Sequence, residues 1–234
     1  MSMREAGMVD ISPDRVARSL AGRIALYRWR KPVYQAALLS SLGKVWDRTH
    51  RSVLDIGGGT GIMAQAVKEL FPVERVVSID IEDRFLDHLS IETRTYDGAS
   101  LPFSNNSFDC LLMLNVLHHV PRESRVSLLK ECGRVANTIY IKDHLPKVPL
   151  DHARLAMLDL LGNVPFGGMV QAHYIERAEW QALAEQAGFK IEDWQYNRYR
   201  SGPMAWVFPN DLEILMKWTV RENRAQAGHT SLNP

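Results

Sequence analysis

The hydrophobic pattern of this chain changes period near residue 50. Before it, apolar residues recur every three to four positions, the spacing of amphipathic helices. Ser12, Pro13 and Asp14 form a helix start: serine caps, proline suits the first turn, and aspartate favours the positive end of the helix dipole. That helix is expected to run to about Tyr27, and Pro32 opens a second through "VYQAALLSSLGKVW". Beyond residue 50, short apolar runs of strand length alternate with helical stretches. "SVLDI", "RVVSID", "ETRTYD", "FDCLLMLNVL" and "NTIYIKD" read as strands. Between them "TGIMAQAVKEL" is helical, with Ile62, Ala66 and Leu70 on one face. "RFLDHL" reads as a short helix, and "RESRVSLLKECGRV" as a helix opened by Pro121. The continuous run in "FDCLLMLNVL" marks a central strand buried on both faces.

After Asp143 the regularity breaks. Residues 144–174 hold three prolines together with Gly162, Gly167 and Gly168, interrupted by a helix around Asp151–Leu161. "ERAEWQALAEQAGF" is a helix ended by Gly188, and "KIEDWQYN" and "MAWVF" read as two last strands before a polar tail. Strands alternating with helices imply a parallel sheet with right-handed crossovers. The expected fold is therefore α/β, a doubly wound, seven-stranded, mostly parallel sheet. One domain over residues 1–234 is expected: an N-terminal helical cap (12–48), a core (50–143), a lid (144–174) and a C-terminal helix with strands (175–221).

Composition narrows the function. With 28 Lys+Arg against 27 Asp+Glu, the chain lacks the basic excess of a nucleic-acid binder. The local cluster Arg23, Arg28, Arg30 and Lys31 reads as a solvated helix face. Cys110 and Cys132 sit in apolar neighbourhoods and are expected as buried free thiols, which suits a reducing compartment. "MSMREAGMVD" has no apolar core of a secretory signal, and no apolar run approaches the roughly 20 residues of a membrane helix. A soluble, cytoplasmic protein, monomeric or homodimeric and without nucleic-acid or membrane partners, is expected.

The stretch "VLDIGGGTG" (53–61) puts four glycines behind the first strand, where ligands bind in doubly wound sheets. The dinucleotide fingerprint G-x-G-x-x-G fits poorly. From Gly57 and Gly59 its third position falls on Ile62; from Gly59 and Gly61 it falls on Ala64, which the permissive variant allows, but Gly57 is then unexplained. The spacing Asp55-x-Gly57-x-Gly59-x-Gly61 instead resembles the first motif of class I S-adenosylmethionine (SAM)-dependent methyltransferases. The resemblance continues in order over roughly residues 50–196. Asp80 ends the second strand, where that family places an acidic residue on the ribose hydroxyls, with Ile81 beside it. Asp97, Gly98 and Ala99, in "YDGASLPFSNNSFD", match the segment that reads the adenine. Asn115 and Val116, in "LLMLNVLHHVP", match the fourth strand and the loop under the methionine part. "LKECGRVANTIYIKDH" and "EWQALAEQAGFKI" match the later helices and strands.

The resemblance implies SAM as cofactor, held by Asp55, Gly57, Gly58, Gly59, Gly61 and the residues just named, with S-adenosylhomocysteine as product. The residue types suit that role. A carboxylate accepts well from a ribose diol, and Asp80 stands about 20 residues past the glycines. Taken alone, Asp80 also reads as a strand-end carboxylate capping the next turn. SAM carries a sulfonium and no phosphate, so the loop needs no P-loop lysine, and it continues Ile62–Met63–Ala64. Asp55 is expected to order the loop amides or to take the ligand's ammonium.

Methyl transfer to an oxygen or nitrogen gains from a general base. His144, His119 and Asp143 are the catalytic candidates, since each follows a strand's carboxyl end; His118 and His119 also read as cofactor-shelf residues. His173 and Tyr174 read as lid contacts. No catalytic metal is expected, because the fourth strand ends in Asn115 without a carboxylate cluster. Tyr27, Trp29, Tyr34 and the segment 145–174, with "VPFGGM" as a hinge, are expected to select a small, largely apolar acceptor. The alternatives are a protein or RNA methyltransferase, a nicotinamide oxidoreductase, and a non-catalytic subunit of the same fold.

Overall fold

The computed structural model describes residues 9, 11–21, 23, 32–163, 171–196 and 198–221. Helix α1 (Pro13–Ala21) begins at the expected start, where Ser12 Oγ accepts the Arg15 amide at 3.3 Å, and α2 spans Val33–Val45. The alternating part follows as β1 (Ser52–Ile56), α3 (Ile62–Leu70), β2 (Arg75–Asp80), β3 (Glu92–Thr95), β4 (Cys110–Leu114), α4 (Arg122–Val135) and β5 (Thr138–His144). Then come α5 (Pro149–Asn163), α6 (Arg177–Gln186), β6 (Phe189–Tyr196), α7 (Gly202–Val207) and β7 (Glu213–Val220).

The strands form one seven-stranded sheet in the order β3-β2-β1-β4-β5-β7-β6. β1 to β5 pair in parallel, and β7 inserts antiparallel between β5 and β6. Strand order reverses between β1 and β4, so a crevice is expected at the carboxyl ends of these two strands. Period-two alternation sends residues to two cores. Leu54, Ile56, Leu111, Met113, Ile139 and Ile141 face one side, against α4 and α6. Val53, Cys110, Leu112 and Tyr140 face the other, against α1, α2 and α3. Both cysteines are buried and free.

Two expectations are corrected. "RFLDHL" is not a helix: the segment after Asp80 runs irregularly, with Phe85 and Leu89 packed on Gly61 and the Leu86 amide bonded to the Thr60 carbonyl at 3.2 Å. Docking onto the glycine loop outweighs local helix preference there. "MAWVF" is not a strand: Met204–Val207 lie in α7, started by Ser201 and Pro203 at its first turn, Phe208 ends it, and Trp206 is 84% exposed. The last strand is "EILMKWTV", whose Glu213 and Lys217 break its apolar run. Among the described residues no helix is long and apolar enough to cross a membrane. Tyr27, Trp29, "VPFGGM" and the tail beyond Arg221 lie outside the described residues.

Candidate functional site

The loops after β1, β2, β3 and β4 converge on a cavity of about 1080 Å³ at the carboxyl edge of the sheet. All the expected cofactor residues except Asp55, Gly58 and Gly61 line it: Gly57, Gly59, Asp80, Ile81, Asp97, Gly98, Ala99, Asn115 and Val116. The glycines turn out to have separate tasks. A side chain on Gly58 would lie 1.9 Å from Ser78 Oγ and 2.7 Å from Asp55 Oδ2, so protein packing forbids one. Gly59 sits at φ +57°, and a Cβ built on it meets nothing within 4 Å. It therefore offers bare backbone to the cavity. Gly61 precedes α3 and is covered by Leu89.

Asp80, not Asp55, orders the loop. Its Oδ2 accepts the Gly59 amide at 2.7 Å, while Oδ1 accepts the Glu82 amide at 3.2 Å and faces Arg84 at 3.4 Å. A carboxylate offers about four acceptor sites, which leaves capacity for a diol. Asp55 is buried behind the loop, and its Oδ2 accepts the Ser78 hydroxyl at 2.7 Å. Burial pushes its carboxyl up to about 7; the Asp80 charge adds to this and the Ser78 hydrogen bond opposes it. Asp55 does not line the cavity, so a contact with a ligand's ammonium finds no support in its position.

At the far side, Asp97 Oδ1 accepts the Ala99 and Ser100 amides, each at 2.8 Å, which holds its pKa below the ordinary carboxylate value. Tyr96 lines the same end, a wall the sequence reading did not single out. Asn115 takes φ +60° and donates from Nδ2 to the Tyr34 hydroxyl at 2.8 Å. Its Oδ1 accepts from Lys142 Nζ at 2.5 Å, and Lys142 faces Glu213 at 3.5 Å. This buried network pins the end of β4 to β5, β7 and α2. A lysine in the middle of "IYIKDH" was the sequence signal for it; its partner Glu213 is 71 positions away.

The three catalytic candidates separate. His119 lines the cavity, and its Nδ1 lies 2.7 Å from the Gln171 carbonyl oxygen. A carbonyl only accepts, so Nδ1 carries the proton and the neutral ring's lone pair is on Nε2. His144 and Asp143 are buried and do not line the cavity. His144 Nε2 lies 3.0 Å from Asp159 Oδ1, and Asp143 Oδ1 lies 2.5 Å from His118 Nδ1. Burial drives the His144 pKa down, helped by Lys142 and against the pull of Asp159. Burial would raise Asp143, but the two histidines hold it below the ordinary value.

The comparisons agree with this geometry. Residues 54–138 match a family described as "Methyltransferase domain". An S-adenosylmethionine-dependent methyltransferase from Mesorhizobium loti superposes with a TM-score of 0.58 at 14% identity, covering 80% of this chain and 99% of that one. Residues 54–138, a little over a third of the chain, thus resemble a methyltransferase domain, and the solved structure shares the fold. Among curated relatives, desmethylxanthohumol 6'-O-methyltransferase of Humulus lupulus is 26% identical over 167 residues. That match covers 68% of this chain and 46% of the relative. The 16-O-methyltransferase bsc6 of Alternaria brassicicola is 30% identical over 167 residues, covering 62% of this chain and 37% of that protein. The chain thus spans less than half the length of these curated relatives. The matched domain and the fold point to SAM as the cofactor to test, and the cavity offers groups that would fit it: open backbone at Gly59, a carboxylate at Asp80 and another at Asp97.

Proposed function

We propose that the protein transfers a methyl group from SAM to an oxygen or nitrogen of a small, largely apolar metabolite. One observation carries this reading: a single cavity brings together the bare backbone of Gly59, the carboxylates of Asp80 and Asp97, and the imidazole of His119. Bound SAM supplies an electrophilic methyl carbon on a positively charged sulfur. The chain's own work is to bind, orient and exclude water, which suffices for much of an in-line displacement. Asp80 accepts from the ribose hydroxyls while still holding the Gly59 amide. Asp97 and the amides after it read the adenine, with Ile81 against the ring. Gly57, Gly59 and Asn115 hold the methionine part, and Asn115 is itself fixed by Lys142.

His119 is the base of this reading. Its Nε2 takes the proton from the acceptor as the new bond forms, while the Gln171 carbonyl keeps Nδ1 protonated. Met63, Leu114, Val116 and Val120 give the cavity apolar wall, which suits an apolar acceptor. The O-methyltransferase names of the curated relatives favour oxygen as the atom methylated. Calorimetric titration with SAM, S-adenosylhomocysteine and NADH tests the cofactor. Binding of both adenosyl ligands and not NADH is expected; binding of NADH alone would overturn the reading. A panel of phenols, hydroxy compounds and amines, followed by mass spectrometry for an added methyl group, then tests the acceptor.

A further inference from the structure

Beneath the cavity, on the far side of His119, lies a cluster that the methyl-transfer reading does not use. His118, His144 and Asp159 bring one donor atom each to within 4.8 Å of one another, and all three are buried. They come from three places: the loop after β4, the end of β5, and α5. His118 Nε2 faces Asp159 Oδ2 at 3.5 Å, and His144 Nε2 faces Asp159 Oδ1 at 3.0 Å. We propose that His118, His144 and Asp159 bind a divalent transition-metal ion, zinc by its donor set, which ties α5 to the ends of β4 and β5.

Two observations carry this. The first is the surrounding shell. His118 points Nδ1 at the Asp143 carboxylate, 2.5 Å away, and turns Nε2 toward the other donors. A carboxylate on the far nitrogen of an imidazole fixes the tautomer and ring direction of a metal-binding histidine. Asp143 is itself held by the His144 amide at 2.7 Å, and the Tyr174 hydroxyl anchors Asp159 Oδ2 at 2.6 Å. The second is an orphaned donor. His118 Nε2 is buried and has no hydrogen-bond partner, although it faces a carboxylate oxygen. A buried ring nitrogen and a carboxylate oxygen thus face each other at 3.5 Å without a hydrogen bond, a gap that an ion ligated by both would fill.

The spacing also fits. Ligands of a tetrahedral zinc site, at bond lengths of about 2.0–2.2 Å, lie about 3.3 Å apart. The histidine–Asp159 separations, 3.0 Å to one carboxylate oxygen and 3.5 Å to the other, lie near that value, and the three donors, all within 4.8 Å of one another, would close on the ion. Two imidazoles and a carboxylate are a common zinc donor set, whereas calcium and magnesium take oxygen ligands. None of the three donors lines the cavity, so the ion's role is structural, holding the segment that carries Gln171 and Tyr174 against the sheet.

The test begins with elemental analysis of tag-free protein purified without chelator, with SAM titrated into the same preparation. About one equivalent of zinc per chain is expected. Stripping with a strong chelator should lower the melting temperature by several degrees, and added zinc should restore it. Cobalt(II) added to the stripped protein should give the visible absorption of a tetrahedral site. His118→Ala and Asp159→Asn should abolish both uptake and colour, while the exposed His88→Ala should keep them. Wild-type protein that arrives metal-free, and after titration takes up neither zinc nor cobalt, overturns the proposal. Because the readout is the metal, a preparation that binds SAM without metal sinks this proposal alone. One that binds metal without SAM sinks the functional reading alone.

Discussion

At the scale of single residues, two carboxylates a few ångströms from the same glycine loop behave in opposite ways. Asp80 accepts the Gly59 amide, faces Arg84 and lines the cavity, where the proposed function sets it against a ribose. Asp80→Ala should weaken SAM binding by about 1–3 kcal/mol, the cost of leaving buried polar groups unpaired, as read by calorimetry. An unchanged affinity would remove the ribose assignment. Asp55 is sealed off, with its carboxyl pushed up to about 7 by burial. In the unfolded chain an aspartate titrates near 4, so between about 4 and 7 the unfolded state releases a proton that the native state keeps. Asp55's contribution is therefore fully present below about pH 4 and lost as pH rises through about 7, a change of up to about 4 kcal/mol. Denaturant unfolding at about pH 5 and pH 8 should show Asp55→Asn gaining on the native protein at the higher pH. Parallel pH dependence in the two proteins would mean that Asp55 is ionised throughout. For the base, His119→Ala should lower kcat by about two to four powers of ten with SAM affinity unchanged. A kcat within twofold of the native enzyme would take His119 out of the chemistry.

At the scale of elements, β1 and β2 are locked together beneath the loop by the Asp55–Ser78 bond, and Gly58 is pressed onto that pair. Gly58→Ala drives a methyl group into Ser78 Oγ, so it should destabilise the fold by about 1–3 kcal/mol. Ser78→Ala in the same chain removes the closest contact and should recover part of the loss, measured as a shift in the urea midpoint. If the single variant unfolds at the native midpoint, the loop has slack that its geometry denies. The same elements explain what was legible beforehand. β1, β2 and β5 are apolar runs whose bounds the sequence pattern gives to within a residue, whereas the expected "FDCLLMLNVL" strand forms only over Cys110–Leu114, because Asn115 turns the chain at φ +60°. β7 is not legible as a strand because Glu213 and Lys217, which face Lys142 and the Tyr140 ring, interrupt its pattern. The stretch after Asp80 was misread because its conformation is set by docking on Gly61, a contact invisible to local preference. In the site, Asp80, Asp97 and Asn115 were legible because each stands at a strand end in a spaced series. His144 was read as facing the cavity because it follows β5; its actual neighbour, Asp159, comes from a helix 15 positions on. Nothing in the local pattern says which side of the strand end that helix covers.

At the scale of the whole molecule, four loops from four strands share the cavity, so a ligand there joins both halves of the sheet across the β1–β4 switch. A ligand that binds only the native state stabilises it by mass action, by about 2.7 kcal/mol at a hundredfold excess over its dissociation constant. For a domain of this size each kcal/mol moves the melting temperature by about 2–4 °C. SAM or S-adenosylhomocysteine at that excess should therefore raise it by about 5–10 °C in a thermal scan, and NADH should not. The shift should shrink in Asp80→Ala, because the variant reduces affinity at fixed ligand concentration. It should survive in His119→Ala, whose loss falls on proton transfer and not on cofactor binding. A shift that is equal in native protein and Asp80→Ala would place the adenosyl ligand away from the β2 end of the cavity. The glycine loop would then keep its packing role at Gly58 while losing its ligand.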